Sequence, residues 1–136
     1  GRTRVLQERG ITPPPAIPGD WTPESGYRAG QVLAGIAEAT AVFVASDEMA
    51  FGVIRALHES GRMVPDDVSV VSVDDIDLAA YASPALTTVR QPFRSVGRDA
   101  ALRVIAKIEG RDPDAEDFDV TEPTLIVRSS TAAPAR

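Results

Sequence analysis

The fold is decided by the stretch Val68-Ser69-Val70-Val71-Ser72-Val73-Asp74-Asp75, in which β-branched residues run almost unbroken into a pair of acids. Such a run is typical of a strand that is covered on both faces, as strands of a parallel sheet are. A second apolar run, Ala41-Val42-Phe43-Val44-Ala45, is followed at once by Ser46 and Asp47. Because helical patterns alternate with these runs, we predict an α/β fold with a mostly parallel sheet flanked by helices.

The other elements are predicted outward from these two strands, with Gly and Pro as stop signals. We predict helices over 1–9, from a Thr22 cap to about Ala37, from an Asp47 cap to Ser60, and over 93–109; strands over 86–89, 120–122 and 124–127; and a flexible tail over 129–136. The helix over 93–109 carries an apolar stripe of Val96, Ala100, Val104 and Ile108 at i, i+4 spacing.

Composition limits the functions that the chain can serve. Its 136 residues are 43% hydrophobic and 25% charged, include no cysteine, and carry a formal net charge of −6. No run approaches the roughly 20 apolar residues that span a bilayer, so we predict no membrane partner. An acidic segment has little with which to neutralise phosphates, so we do not expect it to bind DNA by itself. Residues 1–4 contain no hydrophobic signal core, so nothing in them marks export.

Two strand ends offer candidate ligand contacts. Ser46 and Asp47 follow the first strand, and Asp74 and Asp75 follow the second. Ligands of open α/β sheets bind beyond the carboxyl ends of the strands, so these groups can converge on one crevice. Asp47 is most simply a helix N-cap. Asp74 is the stronger candidate for a ligand contact, because it emerges from an apolar strand where the crevice should lie.

Trp21 and His58 are the only residues of their types, and neither has a single interpretation. A loop tryptophan either fills the core or presents a flat apolar face to a sugar ring or a base. His58 lies on a helix flank without a second ligand at metal spacing, which favours a surface position.

Paired acids at a strand end also occur where Mg²⁺ is held for phosphoryl transfer, as in a response-regulator receiver domain. That chemistry needs a cation beside the phosphoryl group, and the only lysine, Lys107, falls inside a predicted helix. The sequence contains no Gly-rich phosphate loop and no nucleophile elbow. We therefore predict no cofactor, no metal site and no enzyme activity.

Three segments together resemble the effector-binding core of LacI/GalR-type transcriptional repressors. They are Val44-Ala45-Ser46-Asp47-Glu48-Met49-Ala50-Phe51-Gly52, residues 61–76 from Gly61 to Ile76, and Pro84-Ala85-Leu86-Thr87-Thr88-Val89-Arg90-Gln91-Pro92. The resemblance runs from about Gly1 to Arg128 in the correct order and spacing.

This resemblance implies a periplasmic-binding-protein-like fold of two α/β subdomains, with a small effector in the cleft between them. The chain would be the C-terminal part of that core, an incomplete two-subdomain unit over 1–128, with residues 93–112 packing in the N-terminal subdomain. The protein would be cytoplasmic, would form a homodimer, and would reach operator DNA only through an N-terminal helix-turn-helix outside this sequence.

The resemblance also assigns residues to two sites. The expected contacts to a sugar or glycoside effector are Asp74, Trp21, Ser46, Gln91 and Phe93. The expected homodimer contacts are Phe51, Ile54, Ala80 and Tyr81. Two departures are visible, because Ser46 stands where an Asn is usual and Ser72-Val73 replaces a Gly followed by an aromatic residue. The same fold serves exported sugar-binding proteins of transport systems, and this alternative stays open beside the repressor and the magnesium-dependent receiver.

Overall fold

A computed structural model describes residues 2–12, 14–113 and 122–133. Its elements, in chain order, are α1 (Arg2–Glu8), α2 (Pro23–Ala34), β1 (Ala41–Phe43), α3 (Asp47–Glu59), β2 (Ser69–Asp74), a 3-10 helix (Asp77–Ala80), β3 (Thr87–Arg90), α4 (Phe93–Ile108) and β4 (Thr124–Ile126). In this part of the chain no helix is long and apolar enough to cross a membrane.

The strands form one four-stranded sheet in the order β1-β2-β3-β4. The first three strands are parallel, and β4 runs antiparallel to β3. The predicted α/β class with a mostly parallel sheet is therefore confirmed. Asp74, the last residue of β2, is aligned with Arg90, the last residue of β3. Since parallel strands end at the same edge, the residues that follow β1, β2 and β3 come together there.

The hydrophobic core lies between the sheet and the pair α2 and α3. Its buried side chains include Leu33, Val53, Leu57, Val70 and Leu86. Ile36, which the helical pattern directs inward, is 43% exposed because α2 already ends at Ala34. Each fully buried aliphatic side chain contributes roughly 1.5–3 kcal/mol, so this cluster stabilises the face of the sheet on which α3 lies.

Glycines on α2 and α3 let the backbones of these two helices come into direct contact. A Cβ atom on Gly26 would overlap the carbonyl oxygen of Met49, and one on Gly52 would overlap the carbonyl oxygen of Pro23. On Gly30, a Cβ atom would lie 2.7 Å from that of Ala56. This close contact fixes the position of the first turn of α3 relative to the loop that precedes α2.

The predicted flexible tail is wrong for residues 129–132. Ser130 is fully buried, and its carbonyl oxygen accepts a hydrogen bond of 2.8 Å from the backbone N–H of Val70. Its Oγ accepts from the backbone N–H of Thr87 at 2.8 Å and donates to the carbonyl oxygen of Val70 at 2.6 Å. The small side chains let the backbone lie against the amino ends of β2 and β3, which local sequence patterns do not reveal. Residues 134–136 and most of the predicted strand over 120–122 lie outside the described residues.

The predicted helix over 93–109 is confirmed as α4, but its apolar stripe is not buried. Val96 and Val104 are each 59% exposed and Ile108 is 79% exposed, while Ala106 is the buried side chain of this helix. Among the described residues, α4 is joined to the rest of the fold mainly through the strand ends that flank it.

Candidate functional site

The carboxyl edge of the sheet gathers the sequence-predicted ligand residues on three connections. Ser46 lies between β1 and α3, Asp74 ends β2, and Gln91 and Phe93 follow β3. Trp21 approaches from the loop before α2. The order of the strands brings the residues that follow β1, β2 and β3 to one edge, and a ligand crevice there stays a prediction.

Ser46, and not Asp47, is the N-cap of α3. Its Oγ accepts a hydrogen bond of 3.3 Å from the backbone N–H of Met49, while Asp47 is the first residue of the helix. The local rule that assigns an Asp after a strand to the cap position is satisfied equally by a Ser one residue earlier. Ser46 is buried, and its oxygen accepts one hydrogen bond from Met49. Its hydroxyl hydrogen and a second lone pair are left for a ligand.

Asp47 is fully buried and joins three other elements through its side chain. Its Oδ1 accepts hydrogen bonds from the hydroxyls of Ser72 on β2 and Thr88 on β3, the latter at 2.6 Å. Its Oδ2 accepts a hydrogen bond of 2.9 Å from the backbone N–H of Ile76. A buried carboxylate needs partners of this kind, and the first turn of α3 adds the favourable end of the helix dipole. Asp47 is therefore a structural acceptor and not a ligand contact.

Asp74 lies in a turn of residues 74–76, which we call the Asp74 turn. Both Asp74 (φ 125°) and Asp75 (φ 58°) have positive φ, a conformation that costs a residue with a side chain about 1–3 kcal/mol. Burial raises the pKa of Asp74 and the charge of Asp47 raises it further, while a hydrogen bond from the backbone N–H of Asp47 offsets part of this rise. The carboxyl group of Asp74 therefore lies at the first turn of α3, partly withdrawn from water.

Asp75 turns the other way, toward β3 and β4. Its Oδ2 lies 2.6 Å from Nε of Arg90, and its Oδ1 lies 2.7 Å from Nη2 of Arg128. Burial alone would raise the pKa of Asp75, but the contacts with Arg128 and Arg90 outweigh burial and hold the pKa of this carboxyl below its usual range. The two adjacent acids thus have opposite environments, and Asp75 is paired with two guanidinium groups.

Trp21 is 64% exposed, so the core-filling interpretation is wrong. Its backbone has a positive φ of 71°. Asp20 holds the backbone at this position, because its Oδ1 accepts from the backbone N–H of Thr22 at 3.1 Å and from the Thr22 hydroxyl at 2.5 Å. These contacts, with that from Ser25, lower the pKa of Asp20 to about 2. Gly19 packs against the side chain of Met49, so the loop rests on the first turn of α3.

Gln91 is half-buried and Phe93 is 62% exposed, at the point where β3 gives way to α4. Ser46, Asp74 and the Trp21 loop all lie around the first turn of α3, whereas Phe93 opens a separate helix. The ligand roles of these five residues stay predictions.

The predicted dimer residues lie on the opposite flank of α3 from the Trp21 loop. A shallow groove of about 380 Å³ is lined by Ile54, His58, Met63, Val64, Ser83 and Pro84, and an adjoining one of about 220 Å³ includes Phe51 and Ala82. Tyr81 is 84% exposed beside them, and Ala80 is also exposed. Ile54 is only 9% exposed, so it contributes mainly to the core. His58 is exposed, as the sequence indicates.

Within the described residues, no group of three or more His, Cys, Asp or Glu side chains is arranged to hold a metal ion. Of the three carboxyl groups at the edge, Asp47 and Asp75 are committed to protein donors. Asp74 alone among them is available to a ligand.

The family model of a periplasmic binding protein-like domain matches residues 2–131. The chain belongs to this family. An HTH-type transcriptional repressor PurR of Edwardsiella ictaluri is 42% identical over 97% of the chain. The chain spans 39% of the length of that relative.

Solved structures agree with this assignment. A Lac repressor dimer bound to operator and the anti-inducer ONPF superimposes with a TM-score of 0.83 at 32% identity, over 96% of this chain and 45% of that one. The transcriptional regulator CelR in complex with cellobiose gives a TM-score of 0.82 at 36% identity, over 94% of this chain and 40% of that one. The predicted LacI/GalR-type effector-binding domain is confirmed, and these relatives are regulators and not enzymes.

Sequence reasoning missed the residues that support the site. Ser72 and Thr88 occupy inward positions of β2 and β3, where a Ser or Thr beside apolar neighbours signals a buried hydrogen-bond partner. Local sequence assigns no role to Arg90 and Arg128, since nothing in it marks a cation near a strand end as the partner of a distant acid.

Replacing Asp74 by Asn should make the chain more stable at neutral pH. The fold raises the pKa of Asp74, so the protonated carboxyl group favours the folded state and the charged one does not. Its contribution to the free energy of unfolding is complete below the ordinary pKa of 3.8 and is lost as the pH rises through the raised pKa. We expect Asp74→Asn to unfold a few degrees above the parent chain at pH 7 and level with it near pH 3. Thermal unfolding followed by circular dichroism measures this.

The matched control is Asp66→Asn in an exposed turn, which should change neither value. An Asp74→Asn variant that is no more stable than the parent at pH 7 would contradict the assigned environment.

Proposed function

We propose that the chain senses a small polar effector, a sugar or glycoside, at Asp74, and that it does so within a transcriptional repressor. The observation that carries this proposal is the pairing of a partly buried carboxyl group, which has no cationic partner among the described residues, with an exposed aromatic ring around one helix end. Such a pairing supplies both the hydrogen-bond acceptor and the apolar face that a sugar ring needs.

The chemistry of each group fits a pyranose. A carboxylate accepts hydrogen bonds from neighbouring hydroxyl groups of a sugar, and charge-assisted bonds of this kind contribute about 1.5–3 kcal/mol. The ring of Trp21 can cover the apolar C–H face of the same sugar. CelR, which is similar in structure, is solved in complex with cellobiose.

A nucleobase is the second candidate effector. Trp21 would stack on a base as readily as on a sugar, and Asp74 would accept hydrogen bonds from ring N–H groups. The sequence relative at 42% identity is a PurR repressor.

The response would be a shift of population and not a reaction. An effector that binds one cleft state more tightly than another shifts the equilibrium between them by that difference in affinity. Residues 93–112 would belong to the N-terminal subdomain of this cleft, which agrees with the exposed apolar stripe of α4. The protein would act in the cytoplasm on operator DNA, through a part of the repressor outside this chain.

Neither alternative is as well supported. An exported sugar-binding protein would use the same fold, but the relatives compared above are repressors and regulators. A magnesium-dependent receiver would need several free carboxylates, whereas Asp47 and Asp75 are both engaged by protein donors.

The experiment is calorimetric titration of the longest natural polypeptide that contains this sequence, with cellobiose, ribose, adenine and hypoxanthine as probes. We expect a sugar to bind, and Asp74→Ala to weaken that binding about ten- to a hundredfold, because a charge-assisted hydrogen bond is lost. Trp21→Ala should also weaken it.

Asp77→Ala is the matched control, because Asp77 is exposed three residues away and should leave the affinity unchanged. Binding of a base with no binding of either sugar would replace the sugar by the second candidate. Unchanged affinity in Asp74→Ala would remove Asp74 from the site.

We further propose that the groove beside Phe51 is the surface on which a second copy of the chain docks. The grooves combine apolar side chains with a protruding Tyr81, which is the composition of a protein interface. The structurally similar Lac repressor is solved as a dimer. A two-fold contact would bring Phe51, Ile54, Ala80 and Tyr81 against the same residues of the second copy.

Phe51→Glu should convert the dimer to a monomer, because it puts a charge into an apolar contact on both copies at once. Light scattering over a concentration series measures the change in mass. Val32→Glu is the control, since Val32 is a 56% exposed apolar residue on α2. If Phe51→Glu keeps the parent dissociation constant, the interface lies elsewhere.

A further inference from the structure

Asp75 is enclosed more completely than its position in a turn would require. Its side chain is only 4% exposed, although it stands next to Asp74 at the open edge of the sheet. Two guanidinium groups cover it, that of Arg90 at the end of β3 at 2.6 Å and that of Arg128, two residues after β4, at 2.7 Å.

Arg90 marks where the chain leaves the sheet toward α4, and Arg128 lies two residues beyond the end of β4. Arg90 is the last residue of β3, and Pro92, two residues later, is the N-cap of α4. Arg128 follows β4, the strand by which the chain rejoins the sheet after α4. Arg128 is also fixed to the body of the fold, because its Nη1 donates to the carbonyl oxygen of Leu86 at 2.8 Å and its backbone N–H donates to Oγ1 of Thr87 at 2.9 Å.

The end of β3 at Arg90 and the start of β4 at Thr124, which are paired with each other, flank α4 in the chain. Ala106 is the buried side chain of that helix, and its apolar stripe faces outward. Any displacement of α4 relative to the sheet must therefore pass through Arg90 or through the start of β4. Arg90 is 58% exposed and Arg128 is 18% exposed, so the contact with Arg90 is the more easily broken of the two.

We propose that Asp75 is a positioning residue that couples the Asp74 turn to the strand ends carrying α4. Asp75 and Asp74 are adjacent in a turn with positive φ at both residues, so a change in the direction of one side chain changes the backbone of the other. When Arg90 moves with α4, its ion pair displaces the side chain of Asp75. The backbone of the turn then changes, and with it the position of the Asp74 carboxyl group. This rests on the proposed function only in treating Asp74 as the effector contact.

A second anchor makes the coupling directional. The backbone N–H of Ile76 is tied to the buried Asp47, so the far end of the Asp74 turn is fixed to α3. The turn is held at its last residue by a buried group and at its middle residue by a partly exposed ion pair. Strain in such a segment is released at the weaker contact, which is the ion pair with Arg90 at the end of β3.

Amide hydrogen exchange of the chain without any ligand tests the coupling. In Asp75→Asn we expect two amides to exchange at least tenfold faster, that of Ile76 in the Asp74 turn and that of Val96, which donates to the carbonyl oxygen of Pro92 at the start of α4. The amide of Ala50, which donates to the carbonyl oxygen of Ser46, should keep its rate. The control Asp77→Asn removes the same charge two residues away and should change none of the three.

Faster exchange of Ile76 alone would mean that Asp75 acts only within its turn, and would overturn the proposal, as would no change in either amide. Equal acceleration of all three amides would show a general loss of stability instead of coupling, and would also overturn it. If Asp75→Asn does not fold, Arg90→Gln leaves the Arg128 contact in place and should accelerate the same two amides. Because no effector is present, failure of the sugar titration leaves this result unaffected.

Discussion

The carboxylate of Asp47 holds together the elements that carry the candidate site. It is fully buried and accepts hydrogen bonds from two strands and from the backbone of the Asp74 turn. Removing a carboxylate from water is costly unless each oxygen finds donors, and each charge-assisted bond contributes about 1.5–3 kcal/mol. The hydrogen bonds of Asp47 therefore depend on the positions of Ser72, Thr88 and Ile76. Through these bonds the edge of the sheet is fixed relative to α3.

This anchor explains how a strained turn can persist. Positive φ at both Asp74 and Asp75 is unfavourable for residues with side chains, and such conformations survive where the surroundings determine them from several sides. Asp47 holds the turn through Ile76, and Arg90 and Arg128 hold it through Asp75. What remains is Asp74, whose carboxyl group is kept partly out of water without a cationic partner among the described residues. That arrangement lowers stability at neutral pH and leaves an acceptor ready for a ligand.

Much of this could be predicted from local patterns. The β-branched run that ends in Asp74, the apolar run before Ser46 and the Thr22 cap placed the strands, α2 and α3, and the parallel order then placed the site at the carboxyl edge. The role of Asp47 could not be predicted in this way, because its partners are 25, 29 and 41 residues distant in sequence. The same reason accounts for Ser130, which is bonded to residues 60 and 43 positions earlier and was expected to be mobile.

Unfolding of Asp47→Ala in urea tests the central claim most directly. The substitution leaves two buried hydroxyl groups and one backbone N–H without their acceptor, and each such group costs about 1–3 kcal/mol. We predict that the free energy of unfolding falls by about 3 kcal/mol or more, while Asp66→Ala in an exposed turn changes it by less than about 0.5 kcal/mol. A loss for Asp47→Ala as small as that of Asp66→Ala would show that the edge of the sheet is held by other contacts.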